Sequence, residues 1–172
     1  MPTPKPVNRL SLKKLYDLKM LVMDVDGVMT DGLQYYSAEG HIMKAFNVHD
    51  GQGLRYLANT NVRTAIISVS AAQLIVVRAE EFGVRHILIN QRDKGAAMTR
   101  LIAETGINPA HIAYIGDDVP DIVAMHKVGI SITVPNAHPE VMGVAQYITK
   151  TAGGHGAIRE LTDLICAAKA TA

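Results

Sequence analysis

The sequence predicts an α/β fold: a Rossmann-like parallel sheet with helices on both faces, an inserted β-hairpin and no large cap domain. Short apolar runs alternate with helix-like patterns from residue 20 onward, which is typical of parallel strands joined by crossover helices. Glycine follows several of the helical patterns, as it does at helix ends. Polar and charged residues recur where the apolar runs end, and ligands of open α/β sheets bind at that edge.

The predicted elements follow one another in strict alternation. The strands are Met20–Val25, Arg63–Ser68, His86–Asn90, Ile112–Gly116 and Ile130–Val134. The helices are Gly51–Asn59, Ala71–Phe82, Lys94–Thr105 and Pro120–Lys127, with a last helix opened by the glycine loop 153–156. Gly83, Gly106 and Gly129 fit the C-terminal caps of three of these helices.

Residues 32–48 break the alternation and predict a β-hairpin with its turn at residues 38–40. An isolated hairpin is marginally stable in water and needs a surface to pack on. Its apolar side chains favour a flap over the active site or a contact between subunits over an ordinary surface hairpin; they are Tyr35, Tyr36, Ile42, Met43 and Phe46.

Composition sets the broad class of the protein. The chain has 172 residues, of which 48% are hydrophobic and 19% charged, which predicts one globular domain. A net charge of +1 gives no reason to expect nucleic acid or an anionic membrane as a partner. A single cysteine, Cys166, excludes an internal disulfide, and no apolar run approaches the roughly 20 residues of a membrane span. We therefore expect a cytoplasmic protein.

The segment LVMDVDGVMTDG, residues 21–32, is the most informative in the chain. Residues two apart on a strand point to the same face, so Asp24 and Asp26 can share one pocket. Two like charges this close repel unless a cation or a proton lies between them. The segment therefore indicates a metal site, a proton transfer or both, against the alternative of a polar turn after a buried strand.

Other reactive residues lie at corresponding strand ends. Ser68 ends the second predicted strand, Lys94 follows the third, and the fourth leads into GDDVPD, which contains Asp117, Asp118 and Asp121. Each also has a plain explanation, as a turn residue, a solvated lysine or a helix cap. Together they suit phosphoryl transfer: oxygen ligands favour Mg²⁺, one aspartate can attack phosphorus, and a second can move the proton. Lysine and serine can hold the phosphate oxygens.

These motifs, in the order DVDGVMTDG, Ser68, Lys94 and GDDVPD, resemble the four motifs of the haloacid dehalogenase superfamily of phosphatases. The segments KAFNVHDGQG and HPEVMGVAQYITKTAGGHGAIRE narrow the resemblance to its 3-deoxy-D-manno-octulosonate 8-phosphate (Kdo 8-phosphate) phosphatases, which act in lipopolysaccharide biosynthesis. The resemblance implies one phosphatase domain over residues 15–172, preceded by an N-terminal extension, residues 1–14. Tetrameric relatives close each active site with neighbouring subunits, so a homotetramer is expected.

The resemblance also implies roles for individual residues. Asp24 matches the nucleophile and a Mg²⁺ ligand, and Asp26 matches the general acid/base, whose carbonyl also meets the metal. Asp117 matches the third metal ligand. Ser68 and Lys94 match the residues that bind the phosphate. The positions that match the sugar site are Asn47, Val48, His49, Asp50, Gly51 and Arg78.

Three positions depart from the family pattern. Val69-Ser70 stands where Gly-Arg is usual, and His49 and His155 replace basic residues. Losing permanently charged side chains weakens anion binding at neutral pH. Two alternatives therefore stay open beside a Kdo 8-phosphate phosphatase: a phosphatase of the same fold for another small phosphate ester, such as a nine-carbon sugar-acid phosphate, and a non-catalytic binding subunit.

Overall fold

A six-stranded parallel sheet forms the centre of the molecule, and the predicted fold class is confirmed. The computed structural model describes residues 10–40 and 42–170. The strand order is β5-β4-β1-β6-β7-β8. The strands are β1 (Met20–Met23), β4 (Arg63–Ile67), β5 (His86–Leu88), β6 (Ile112–Ile115), β7 (Ile130–Thr133) and β8 (Tyr147–Ile148).

The first strand of the chain lies in the interior of this sheet. Met20 pairs with Arg63 on one side and with Ile112 on the other, and the register continues to Met23. All four β1 residues are buried, as expected for a parallel strand covered on both faces. The loop that follows β1 is therefore held between the loops that follow β4 and β6.

The helices that surround the sheet fall into two groups. In one group α7 contacts both α1 and α2, and in the other α4 contacts α5. Their bounds are α1 (Leu12–Asp17), α2 (Val48–Ala58), α3 (Gln73–Glu81), α4 (Lys94–Thr105), α5 (Ile122–Met125), α6 (Pro139–Val144) and α7 (Ala157–Ala170). Two 3₁₀ turns precede β6 and α5, at Pro109–His111 and Val119–Asp121. Among the described residues, no helix is long and apolar enough to cross a membrane.

The predicted hairpin is present, though its strands are only two residues long. β2 (Tyr35–Tyr36) pairs antiparallel with β3 (Ile42–Met43), and Tyr35 lies opposite Met43. The side chains of Tyr35, Tyr36 and Met43 are exposed, whereas Phe46 is half-buried against the core. Over residues 10–40 and 42–170, this hairpin is the one insertion outside the main sheet, so the chain has no large cap there.

Five features of the fold differ from the prediction. Helices α1 and α6 and the short strand β8 were not predicted, and the predicted helix Pro120–Lys127 is a 3₁₀ turn followed by one turn of α-helix. Gly129 is not a helix cap: a Cβ there would lie 2.3 Å from the carbonyl oxygen of Ala110, so close backbone approach requires the glycine. The domain boundary at residue 15 stays a prediction. Helix α1 crosses it, and residues 1–9 lie outside the described part of the chain.

Candidate active site

The carboxyl ends of the central strands surround a cavity of about 280 Å³. Asp24 follows β1, Ser68 follows β4, Asp117 lies two residues after β6, and Lys94 is the first residue of α4. The structure therefore brings together the predicted nucleophile, the predicted phosphate-binding residues and the predicted metal ligands. The cavity is lined by Asp24, Asp26, Gly27, Gly32, Ser68, Val69, Ser70, Lys94, Asp117, Asp118 and Pro120.

Lys94 links two buried carboxylates at the base of this cavity. Its Nζ lies 2.7 Å from Asp24 Oδ2 and 2.6 Å from Asp121 Oδ1. The exposed fraction is 3% for Lys94, 6% for Asp24 and 0% for Asp121. Burial lowers the pKa of Lys94, but the two carboxylates outweigh this effect, and the net pKa is raised. The ammonium therefore stays charged and fixes the Asp24 carboxylate in place.

Asp121 holds the loop after β6 in position. Its Oδ1 accepts hydrogen bonds from Lys94 Nζ and from the hydroxyl of the fully buried Tyr114, both at 2.6 Å. Its Oδ2 accepts the backbone N–H groups of Asp117 and Asp118 at 3.1 Å. Both oxygens are thus committed to protein partners. The segment GDDVPD also has the capping role that was considered as an alternative. Asp118 and Asp121 form a capping box, although on the 3₁₀ turn and not on an α-helix.

Three carboxyl groups, those of Asp24, Asp117 and Asp121, lie close together in this cavity, whereas Lys94 supplies one ammonium. Asp117 Oδ1 is buried and has no hydrogen-bond partner among the residues that the structure describes. Burial, followed by repulsion from Asp121, raises the pKa of Asp117 to about 7. Burial and then Asp121 also raise the pKa of Asp24 well above its ordinary value. A bound cation would relieve this penalty for both groups.

The donor set of the cavity fits a magnesium ion. Oxygen atoms of Asp24, Asp117 and Asp121 lie within 4.8 Å of one another, and every donor is a hard oxygen. Since Asp121 already accepts four hydrogen bonds, Asp24 and Asp117 are the carboxylates left for the metal. The orphaned Oδ1 of Asp117 is the observation that supports this assignment.

Ser68 is fully enclosed at the end of β4. Its backbone N–H donates to the Leu88 carbonyl at 2.9 Å, and the Ser70 N–H donates to its Oγ at 3.2 Å. The hydroxyl is thereby oriented while its own proton stays available to a ligand oxygen. Val69 and Ser70, which depart from the family pattern, both line the cavity beside it.

Asp26 contacts a lysine that the sequence did not single out. Nζ of Lys44, from the hairpin, reaches both carboxylate oxygens of Asp26. The Lys44 side chain is fully buried, whereas the Asp26 side chain is 27% exposed. The lysine follows β3 directly, and its spacing in the sequence gives no signal that it would fold back over the site.

The glycine loop before α7 is joined to the loop after β1. The Asn136 side chain donates to the Gly27 carbonyl at 3.0 Å and accepts the Gly153 N–H at 2.8 Å. A Cβ on Gly153 would lie 1.8 Å from the Gly27 oxygen, so only glycine permits this approach. Asn47 Nδ2 also donates to the Gly154 carbonyl, at 3.3 Å. The loop therefore supports the wall of the site, while His155 at its tip is exposed.

The predicted sugar-site residues lie outside the residues that line the cavity. They occupy the start of α2 and the middle of α3. Val48 and His49 are exposed, and Asn47 caps α2 by accepting the His49 N–H at 2.8 Å. Arg78 is stacked 4.2 Å from the centre of the Phe82 ring and faces a groove beside Met43 and Lys44.

Asp50 and Gly51 are buried, so the expectation that they meet a sugar directly finds no support in this subunit. Asp50 Oδ1 accepts the Arg159 N–H at 2.7 Å at the start of α7, and Oδ2 has no hydrogen-bond partner in the structure. Burial raises the pKa of this carboxyl to about 6. The observed contacts make Asp50 a structural link between α2 and α7.

Comparison with known proteins identifies the class of protein to which this chain belongs. Residues 39–161 match the model of the haloacid dehalogenase-like hydrolases, and the chain belongs to that family.

Several individual relatives share one enzyme name. The 3-deoxy-D-manno-octulosonate 8-phosphate phosphatase of Yersinia pestis is 42% identical over 164 residues, covering 95% of this chain and 88% of the relative. The Salmonella typhi enzyme of the same name is 40% identical, with coverage of 95% and 87%. The crystal structure of the Moraxella catarrhalis enzyme, in complex with magnesium, phosphate and Kdo, has a TM-score of 0.90 and 41% identity, covering 93% of this chain and 92% of that one.

Proposed function

We propose that this chain is a Mg²⁺-dependent phosphatase that hydrolyses a sugar-acid phosphate monoester, with Kdo 8-phosphate as the first candidate. The observation that carries the proposal is the buried Asp24 carboxylate, which lies 2.7 Å from Lys94 and has a carboxylate oxygen within 4.8 Å of one of Asp117. Relatives that are 40–42% identical over nearly the whole chain are named for this substrate.

Asp24 is the proposed nucleophile. Its carboxylate oxygen attacks phosphorus, the bond from phosphorus to the ester oxygen breaks, and that oxygen takes the electron pair and a proton from the Asp26 carboxylic acid. Water then attacks the aspartyl phosphate while the Asp26 carboxylate accepts a proton from it. The bond from phosphorus to Asp24 breaks, which releases inorganic phosphate and restores both carboxyl groups.

The surrounding groups stabilise the charge that moves during these steps. Lys94 and the hydroxyl of Ser68 lie at the edge of the cavity where the phosphate oxygens would sit. Asp24, Asp117 and the backbone carbonyl of Asp26 would hold Mg²⁺. When bound, the ion neutralises carboxylate and phosphate charge, so that an anionic nucleophile can approach an anionic ester.

The sugar part of the substrate would bind beyond the cavity, with Asn47, Val48, His49 and Arg78 as candidate contacts. Because these side chains do not line the cavity of one subunit, we propose that a homotetramer completes the site. The exposed hairpin supports this proposal: the exposed fractions are 50% for Tyr35, 66% for Tyr36 and 67% for Met43. A cytoplasmic location stays a prediction, which the single cysteine supports.

A different phosphate ester is the second candidate substrate. Val69 and Ser70 line the cavity beside Ser68, at positions where the family usually has Gly-Arg. The other two altered positions lie near Asn47. The Asn47 side chain accepts the His49 N–H and donates to the carbonyl of Gly154, which precedes His155. A site with fewer permanent cations favours a substrate with fewer anionic groups at neutral pH.

Phosphate release from purified protein tests the proposal. The panel contains Kdo 8-phosphate, nine-carbon sugar-acid phosphates and simple sugar phosphates, each with Mg²⁺ and with a chelator, and Asp24→Asn serves as the control. We expect Mg²⁺-dependent release that Asp24→Asn abolishes. Preference for another ester would support the second candidate. Absence of release across the panel from the folded wild type would refute a phosphatase and favour a non-catalytic subunit.

A further inference from the structure

The contact between Lys44 and Asp26 joins the hairpin to the proposed proton donor. Lys44 directly follows β3, and Asp26 lies in the loop after β1. The ammonium reaches both carboxylate oxygens, and the lysine side chain has no exposed surface. A buried ammonium held by a carboxylate is shielded from solvent, in contrast to the ion pairs Lys13–Asp17 and Arg159–Asp163, whose side chains are partly or largely exposed.

Asp26 has little else to hold its carboxylate. Among the residues that the structure describes, Lys44 makes the hydrogen bonds and the ion pair of the Asp26 side chain. The neighbouring Asp24, by contrast, is held by Lys94 and by the Val25 N–H at 2.7 Å. The two aspartates therefore depend on separate lysines, one from the core and one from the hairpin.

We propose that Lys44 is a positioning residue for the proton transfer: its ammonium holds one oxygen of the Asp26 carboxyl group beside the cavity and leaves the other oxygen to carry the transferred proton, so that docking of the hairpin completes the general acid. The proposal rests on the proposed function, since it assigns Lys44 to the Asp26 step. A proton donor must lie within hydrogen-bond reach of the leaving oxygen, and such a donor contributes roughly 10²–10⁴-fold to rate. Attack by Asp24 does not depend on Lys44.

Two aryl esters of similar shape separate this role from a general loss of structure. Phenyl phosphate and 4-nitrophenyl phosphate place the same phosphate in the site, but 4-nitrophenolate is much the weaker base and needs little proton donation. Because kcat/KM reports events up to the first phosphoryl transfer, the ratio of the two kcat/KM values measures the proton donor. Neither ester carries a sugar or a carboxylate, so loss of a sugar contact cannot imitate the effect.

The variants are Lys44→Met, which keeps the length of the side chain, and Lys44→Arg, which keeps the charge. Lys127→Met, at an exposed position after α5, is the matched control. We expect Lys44→Met to lower kcat/KM on phenyl phosphate about 100-fold and on 4-nitrophenyl phosphate less than about 3-fold. Lys44→Arg should recover most of the loss, and Lys127→Met should match the wild type. Thermal melting and gel filtration check that folding and assembly are unchanged.

Equal loss of kcat/KM on both esters, or no loss on either, would overturn the role of Lys44 and leave the proposed phosphatase intact. A wild type that releases no phosphate from any ester, Kdo 8-phosphate included, would overturn the phosphatase and the role of Lys44 together. Crystal structures of the wild type and of Lys44→Met add a readout besides activity. The wild type should show Lys44 Nζ within hydrogen-bond distance of Asp26, and a lysine turned away from it overturns the proposal.

Discussion

The catalytic edge of the sheet and the hairpin that lies beside it are built in opposite ways. We use catalytic edge for Asp24, Ser68, Lys94, Asp117 and Asp121, whose side chains come from strand ends and one helix start. Four of these five residues are buried, and their partners are other residues of the main sheet and its helices. The hairpin has two-residue strands and exposes two tyrosines and a methionine.

The proposed chemical step and the proposed recognition of the substrate therefore use different regions of the molecule. The catalytic edge is assembled within one chain, with every buried charge except that of Asp117 facing a partner. The hairpin and the start of α2 expose apolar side chains, and in the proposed function this surface meets the sugar and a neighbouring subunit. The following predictions test that contrast, beginning with the largest expected effect.

Replacing Asp24 by asparagine removes the proposed nucleophile while preserving side-chain size. We expect turnover to fall more than about 10³-fold, because no other carboxylate in the cavity can take its place in the attack. Phosphate release measures the effect, and far-ultraviolet circular dichroism confirms the fold. Residual activity within tenfold of the wild type would place the nucleophile elsewhere.

Replacing Asp121 by alanine leaves Lys94, Tyr114 and two backbone N–H groups without one of their acceptors. We expect the free energy of unfolding to fall by about 3–5 kcal/mol, the usual cost of removing one member of a buried ion pair. Urea denaturation measures it. Asp118→Asn is the control, because Asp118 is exposed and should change stability by less than about 1 kcal/mol. Equal effects of the two substitutions would contradict the structural role of Asp121.

Asp50 should make stability depend on pH. Its pKa is raised to about 6 by burial, so between about pH 4 and 6 the folded state holds a proton that the unfolded state has released. The free energy of unfolding should therefore fall by up to about 3 kcal/mol as the pH rises through this range. Urea denaturation at pH 4 and pH 7.5, with Asp50→Asn as the comparison, measures the change. A wild type and an Asp50→Asn variant with parallel pH profiles would refute it.

The hairpin should show the smallest effect on the stability of a subunit. Replacing exposed Tyr36 and Met43 by serine should change the free energy of unfolding of one subunit by less than about 0.5 kcal/mol each. If these side chains form the proposed contact between subunits, sedimentation should show the double variant shifting to smaller species. A wild type that sediments as a monomer would remove the tetramer from the proposal.

The central strands and the catalytic edge could be predicted from the sequence because short local patterns indicate both. Apolar runs such as Ile112–Ile115 are too continuous to be surface segments, and each is followed by a polar residue of the site. The two-residue strand β8 and the six-residue helix α6 have no comparable periodicity, so they were missed. Helix α1 crosses the predicted domain boundary at residue 15, so its first three residues fall in the segment interpreted as an extension.

Contacts between segments that are distant in the sequence could not be predicted from local patterns. Asp50 lies next to predicted site residues in sequence, yet its carboxylate turns inward to the start of α7. Lys44 is one of many lysines until the hairpin folds back on Asp26. The three-dimensional path of the chain decides both cases, and neither spacing nor charge indicates it.

The interior position of β1 has a consequence for how the protein is made. The ribosome delivers β1 first, but its two hydrogen-bonding edges are filled by β4 and by β6, which begins only at Ile112. Until β6 emerges, an apolar strand with an open edge is available for pairing with other chains. The same delay keeps Asp117 and the glycine loop away from Asp24, so a partly synthesised chain has no assembled phosphatase site. Synthesis must therefore pass well beyond the middle of the chain before the open edge of β1 is covered and the site can assemble.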